Sequence, residues 1–287
     1  MTKAWLITGG SSGLGLSLGR AVLGKGITAV LTTRSIVQAQ QAAPDIEEKG
    51  GKWLQLDFAD PNLEQLVRDA VLRWDVDVIV NNAGYPMTGP VEESRYAQPP
   101  WPISCAPLTK AVQLSGYSHP AVIPTFRERK SGTIANIGSS VSYTGVPGIA
   151  LYASTKAALR SVTQGLAIEL ASFGIRVLLF EPGRFRTNFG SGAIPAEPGE
   201  PYKDTPVQHL LNMLKNAPPA PGNPDEAALR MYEIVTKTGL ADNEALEDCM
   251  RFPLGKDAND GVADAGKEWS HVAEVTAAIS RSTDYGT

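Results

Sequence analysis

The first 85 residues alternate between short apolar runs and amphipathic segments of helical periodicity, and this alternation limits the possible folds. The pattern predicts one helix over about 13–23 and a second that opens at Asp60-Pro61. Buried strands are predicted over 4–7, 28–32, 53–56 and 76–80. Strands separated by helices pair in parallel through right-handed crossovers, which place helices on both faces of the sheet. The sequence therefore predicts an α/β fold with a doubly wound, mostly parallel sheet.

The alternation resumes after residue 132, and two proline-rich regions interrupt it. The later strands are predicted at 133–137, 177–180 and 252–255, and the later helices at about 152–172, 225–237 and 262–281. The segments 86–124 and 191–225 each contain eight prolines, and proline breaks the interior of a helix. We expect a single domain over 1–287, with an irregular crossover at 86–124. A small helical lobe at 191–250, inserted before the last strand, is expected to lie over the substrate.

Composition excludes several classes of function. The formal net charge is −4, and no basic cluster is present, so neither nucleic acid nor membrane is expected as a partner. Cys105 and Cys249 form no CxxC motif, and His119, His209 and His271 lack the spacing of metal ligands, so no metal is predicted. The sequence contains no apolar run of the roughly 18 residues that a spanning helix needs, and its start predicts no signal peptide. We expect a cytoplasmic protein.

A glycine-rich turn follows the first predicted strand and opens the first helix. Its sequence is Thr8-Gly9-Gly10-Ser11-Ser12-Gly13-Leu14-Gly15. Unpaired amides and the positive end of the helix dipole attract phosphate at such a position, and glycine allows a close approach of the backbone. The alternative is an ordinary tight turn between a strand and a helix. The placement after the first strand favours binding of a dinucleotide cofactor.

Further motifs follow this turn in a fixed order along the chain. They are Asp57, Asn81-Asn82-Ala83-Gly84, Ser139, Tyr152 with Lys156 in the pattern YxxxK, and Pro182-Gly183 with Thr187. Together with Thr8-Gly9-x-x-x-Gly13-x-Gly15, they resemble the motifs of the short-chain dehydrogenase/reductase family. The C-terminal part is similar to fungal members with an extended substrate lobe. The resemblance implies a Rossmann fold, in which these residues bind the cofactor and Ser139, Tyr152 and Lys156 carry the catalysis.

The spacing of Tyr152 and Lys156 suits acid–base chemistry. Residues at i and i+4 share one face of a helix. An ammonium group one turn away favours the phenolate, so we expect Lys156 to lower the pKa of Tyr152 towards neutrality. The family implies that Lys156 also holds the nicotinamide ribose, and Ser139 is expected to hydrogen-bond the substrate oxygen. These roles predict hydride transfer between a cofactor and a ketone, aldehyde or alcohol.

The residue after the second strand bears on the choice of cofactor. NAD-binding members place an acid there to bind the 2′-hydroxyl, whereas this chain has Arg34. A guanidinium can pair with a 2′-phosphate, although a solvated surface arginine is the alternative. We predict NADP(H).

One motif departs from the family pattern. Where members carry an asparagine of the proton relay, the nearest match in this chain is Gln113. An alternative function is therefore a cofactor-binding scaffold or regulator with impaired redox activity. The family usually pairs through its two long crossover helices, and the 86–124 segment stands in place of one. The sequence leaves the existence of a homo-oligomer open.

Overall fold

The computed structural model describes residues 4–93, 118–190, 194–195 and 198–285. Nine strands occur in these ranges. In chain order they are β1 Ala4–Ile7, β2 Thr28–Thr33, β3 Lys52–Gln55, β4 Val78–Asn81, β5 Met87–Thr88, β6 Gly132–Ile137, β7 Ile175–Pro182, β8 Ile194–Pro195 and β9 Arg251–Leu254. Seven of them form a sheet in the order β3-β2-β1-β4-β6-β7-β9, in which every pair is parallel. This is the doubly wound sheet predicted from the sequence.

The described helices alternate with these strands. They span Gly13–Leu23, Ile36–Ala42, Asp45–Glu48, Leu63–Arg73, Ser118–Arg129, Ala150–Ala171, Pro206–Lys215, Pro224–Thr236, Lys256–Val275 and Ala277–Arg281. Ser118–Arg129 occupies the end of the proline-rich 86–124 segment and includes Pro124. In the ranges that the structure describes, no helix is both long enough and apolar enough to cross a membrane.

Two apolar layers bury the faces of the sheet. On one face, Leu18 and Met231 pack with strand residues such as Ile7 and Phe180. On the other face, Val67 and Phe126 belong to a layer that also contains Ile79 and Ile134. Alternate residues of each strand enter opposite layers, because successive side chains of a strand point to opposite faces. The sheet is therefore buried on both sides, as expected for parallel pairing.

Two helix starts differ from the predictions. The helix expected to open at Asp60-Pro61 begins at Leu63, because the Asp60 carboxylate accepts a hydrogen bond from the Asn62 amide (2.8 Å) and so stabilises a turn ahead of the helix. The helix expected at 262–281 begins at Lys256, directly after β9, and ends at Val275, with a short helix following over Ala277–Arg281. Its early turns lack a clear apolar stripe, and packing against β9 and the 140–142 turn decides where it starts.

Parallel strands bring their carboxyl ends to one edge of the sheet, where ligands bind in folds of this type. The strand order reverses between β1 and β4. The glycine turn follows β1, Asn82 follows β4, Ser139 follows β6 and Gly183 follows β7. The fold thus gathers the predicted motifs at one edge.

Candidate active site

The glycine turn fits tightly against the loop that follows β4. Gly9 has φ +63°, and a Cβ atom there would lie 2.9 Å from the Ala83 Cα atom. A Cβ atom on Gly15 would lie 2.5 Å from the Gly9 carbonyl oxygen. A side chain at either position would push the two loops apart, so the glycines are required by the close approach of the backbone.

Thr8 and Asn82 join these two loops by hydrogen bonds. The Thr8 hydroxyl oxygen accepts from the amides of Asn82 and Ala83, each at 3.0 Å. The Asn82 side-chain amide donates to the carbonyl oxygens of Thr8 (2.9 Å) and Gly9 (3.2 Å). In this structure Thr8 and Asn82 therefore shape the proposed cofactor site through backbone contacts.

The helix that follows the turn has an open start. It begins at Gly13, where φ is +53°, and the side chain of Ser12 makes no capping hydrogen bond. The first amides of a helix have no intrahelical acceptor, so this end can bind an anion. Ser11 and Leu14 flank the same turn. The narrow backbone turn and the open helix start fit the pyrophosphate of a dinucleotide.

Ser139 and Tyr152 are brought together by β6 and the helix Ala150–Ala171. Ser139 is buried at the end of β6, and its hydroxyl oxygen accepts a hydrogen bond from the Val141 amide at 3.4 Å. Burial raises the pKa of Tyr152 to about 12, and the Ser139 side chain, which favours the phenolate, offsets this only in part. The predicted lowering of this pKa is therefore wrong for the protein without cofactor, because desolvation of the phenol is the larger effect.

Lys156 lies on the same helix face as Tyr152, as predicted. Its ammonium group donates a hydrogen bond to the Ile137 carbonyl oxygen at 2.7 Å, and Nζ lies 5.9 Å from the centroid of the Tyr152 ring. Burial lowers the pKa of Lys156 to about 8. A Cβ atom on Gly84 would lie 3.9 Å from Nζ, so the loop after β4 reaches Lys156.

Two residues predicted for the adenosine half of the cofactor lie at the surface. Arg34 is exposed directly after β2. Asp57 is exposed after β3, and its carboxylate accepts a hydrogen bond from the Ala59 amide at 2.9 Å. This bond leaves acceptor capacity on the carboxylate, because each carboxylate offers about four acceptor sites.

The Pro182-Gly183 turn is held by the strand and helix at the C-terminal end of the sheet. The Gly183 amide donates to the Leu254 carbonyl oxygen at 2.9 Å. The next amide, that of Arg184, donates to the Asp257 carboxylate at 2.8 Å. Thr187 then passes close to Gly13, where a Cβ atom would lie 3.3 Å from the Thr187 Cβ atom. The turn after β7 therefore reaches back to the glycine turn.

Three residues of this site were not found by sequence reasoning. Asp257 belongs to a helix rich in acidic residues, and nothing in the local pattern separates it from its neighbours. Phe189 lies against Tyr152 across the site. Glu181 carried a usable signal, because it is a charged residue that directly follows an apolar strand run. Gln113 lies outside the described residues.

A doubly wound sheet with Ser139 after the carboxyl end of β6, and Tyr152 and Lys156 on the next helix beside it, is the arrangement of a dinucleotide-binding oxidoreductase. The sequence model of the family described as short chain dehydrogenase matches residues 3–197. The chain belongs to this family.

Individual relatives agree with this assignment. Oxidoreductase claN of Passalora fulva is 36% identical over 215 residues, which make up 74% of this chain and 95% of that protein. The structure of a short-chain dehydrogenase from Streptomyces avermitilis is similar at a TM-score of 0.83 and 31% identity, over 99% of this chain and 100% of that one. A blue fluorescent protein from a metagenomic library, solved with NADPH, has a TM-score of 0.65 at 26% identity, over 89% of this chain and 96% of that one. Structures of the same fold have been solved with NADPH and with NADH, so the fold does not select the cofactor.

Proposed function

We propose that this oxidoreductase uses NADP(H) to interconvert a ketone or aldehyde and the corresponding alcohol, with Tyr152 as the acid–base residue. The observation that carries the proposal is the placement of the Ser139 side chain beside the Tyr152 phenol, with Lys156 one helical turn from the tyrosine. Two hydroxyl groups that converge at the carboxyl edge of the sheet can both bind one substrate oxygen.

Ser139, Tyr152 and Lys156 would each have a separate role in the reaction. The hydride would come from the nicotinamide when the cofactor is bound. Ser139 hydrogen-bonds the carbonyl oxygen of the substrate and stabilises the negative charge that develops there. Tyr152, protonated at neutral pH because its pKa is high, donates its proton to that oxygen. Lys156 places a positive charge beside the phenol and favours release of the proton.

The cofactor would lie along the edge of the sheet. The turn from Thr8 to Gly15 would hold the pyrophosphate, and Asp57 the adenine. Gly84 and the two residues before it would border the ribose that Lys156 binds. Pro182-Gly183 and Thr187 would hold the nicotinamide. Arg34 supports the choice of NADP(H), because its exposed guanidinium lies directly after β2 and would attract a 2′-phosphate there. No acidic residue occupies this position to repel the phosphate.

A fluorescence titration of purified protein with NADPH and with NADH tests the cofactor. We expect NADPH to bind at least tenfold more tightly, and Arg34→Ala to remove most of that difference. Arg73→Ala is the matched control, since Arg73 is also exposed but lies at the end of another helix. A preference for NADH in the wild-type protein would contradict the role of Arg34.

A panel of carbonyl compounds, followed through NADPH consumption, then tests the reaction. Failure of every compound in a protein that binds NADPH would favour the scaffold alternative. Nothing in the described residues favours that alternative now. The proposed small-molecule partner, the cytoplasmic location and any homo-oligomer stay predictions.

A further inference from the structure

Glu181 is a buried acid behind the catalytic serine. It lies on β7, is fully buried, and its carboxylate accepts hydrogen bonds from three side chains. Ser142 donates through its hydroxyl at 3.2 Å, Tyr143 donates through its phenol, and Arg251 donates through Nε at 3.2 Å. Burial of a carboxylate is unfavourable unless it is paired and hydrogen-bonded. Here the three partners supply the hydrogen bonds, and Arg251 also supplies a positive charge.

Two of these partners belong to the turn that begins at Ser139. The Ser142 amide donates to the Ser139 carbonyl oxygen at 3.1 Å, and the Val141 amide donates to the Ser139 hydroxyl oxygen at 3.4 Å. Ser142 and Tyr143 are both buried. The turn is therefore held by its own hydrogen bonds to Ser139 and by the hydrogen bonds of Ser142 and Tyr143 to Glu181. The position of the Ser139 hydroxyl depends on both sets.

Tyr143 also links this turn to the catalytic helix. Two guanidinium groups lie near its ring: that of Arg160 and that of Arg251 are each 5.2 Å from the ring centroid. Arg160 is one helical turn beyond Lys156 on the helix Ala150–Ala171. A shift of Tyr143 would therefore change how the Ser139 turn sits against the helix that carries Tyr152.

Trp269, on the helix Lys256–Val275, contacts the same two side chains. Its ring centroid lies 5.6 Å from the guanidinium of Arg160 and 6.5 Å from the Tyr143 ring. Contacts between a guanidinium and the face of an aromatic ring are attractive. The helix Lys256–Val275 lies beyond the segment matched by the family model, yet it contacts the turn behind the active site.

We propose that Glu181 is a positioning residue of the active site, which holds the Ser139 turn in place against the helix of Tyr152 and Lys156 through Ser142 and Tyr143. This inference rests on the proposed function. A displacement of about 1 Å in a reacting group can cost on the order of 100-fold in rate. Loosening the turn should therefore lower kcat through Ser139, with little effect on the affinity for the cofactor, whose proposed contacts do not include the 139–143 turn.

The test is a double-mutant cycle between this network and Ser139. Glu181→Gln and Tyr143→Phe are each made in the wild-type protein and in the Ser139→Ala background, and kcat is measured in single turnover with saturating NADPH. We expect each change to lower kcat at least tenfold in the wild-type protein and less than twofold in the Ser139→Ala background. The dissociation constant for NADPH should stay within twofold. An equal loss in both backgrounds would mean a merely structural role and would overturn the proposal.

If Glu181→Gln does not fold, Tyr143→Phe still tests the proposal. This substitution removes one hydroxyl and retains the ring near the two guanidinium groups. Glu64→Gln is the control, since it changes an exposed Glu–Arg pair on another helix. Hydrogen exchange of the 139–143 amides adds a readout that needs no substrate. We expect faster exchange confined to this turn in Tyr143→Phe, and unchanged exchange would refute the positioning role. If the wild-type protein reduces no carbonyl compound, the proposed function fails, while the exchange measurement still decides whether the network holds the turn.

Discussion

The ring of Phe189 packs against the ring of Tyr152, with centroids 6.0 Å apart and planes inclined by 55°. Phe189 is 42% exposed, and its amide donates to the Thr187 hydroxyl oxygen at 3.4 Å. The loop after β7 therefore places an apolar ring between Tyr152 and solvent. Such a ring excludes water from the phenol and borders the space that a substrate must enter.

Replacing Phe189 with alanine should lower the pKa of Tyr152 towards its ordinary value of 10, because water would reach the phenol. Carbonyl reduction needs the protonated phenol, so activity is lost as pH rises through this pKa. The variant should lose activity at a lower pH than the wild-type protein does. The pH profile of kcat for reduction measures the shift. Phe173→Ala, which changes a 38% exposed ring after the catalytic helix, should leave the profile unchanged; identical profiles for Phe189→Ala and wild type would contradict the shielding role.

Changing Tyr152 to phenylalanine removes the proton donor and leaves the ring in place. We expect turnover to fall by about 10²- to 10⁴-fold, the usual contribution of acid–base catalysis, with NADPH binding nearly intact. Steady-state kinetics and the fluorescence titration measure the two effects separately. Tyr285→Phe is the control, because this phenol is fully exposed near the C-terminus. Undiminished turnover of Tyr152→Phe would rule out its assigned role.

The buried ammonium of Lys156 should make the cofactor-free protein more stable at alkaline pH. Its pKa is about 8 in the folded protein and 10.5 ordinarily, so between these values the unfolded chain binds more protons. The free energy of unfolding then rises as pH rises from 8 to 10.5, and the full penalty of burying the charge applies below pH 8.

Lys156→Met should abolish this rise. At pH 7 we expect the variant to be more stable by about 2 kcal/mol, because removing a charge whose pKa is shifted by this much outweighs the lost hydrogen bond to Ile137. Urea unfolding of both proteins at pH 7 and pH 9.5 measures the difference. Lys267→Met, at an exposed site, should retain the wild-type pH dependence. If Lys156→Met retains it as well, the lysine is not responsible.

Alanine at Gly9 should destabilise the protein more than alanine at Gly26 does. Both glycines have positive φ, +63° and +73°, so each change costs about 1–2 kcal/mol of backbone strain. A Cβ atom at Gly26 meets no atom within 4 Å in the described part of the chain, whereas one at Gly9 would press on Ala83. Thermal unfolding and NADPH titration test both effects. We expect weaker NADPH binding in Gly9→Ala alone, and equal behaviour of the two variants would show that the close approach is unimportant.

Local patterns in the sequence were enough to predict the sheet, the order of the motifs along its edge and the shared helix face of Tyr152 and Lys156. These features follow from local periodicity and spacing: an i, i+4 pair faces one way on any helix, and parallel strands bring their carboxyl ends together. A glycine turn between a strand and a helix is likewise a local feature.

Other features of the site depend on residues far apart in the chain, which come together only when the chain folds. Glu181 meets Ser142 and Arg251 from 39 and 70 positions away, and Arg184 meets Asp257 across 73. The pKa of Tyr152 is raised, opposite to the prediction, because burial by several distant segments outweighs the effect of the Ser139 side chain. Desolvation has no signature in local spacing, since it depends on which segments exclude water from a group after folding.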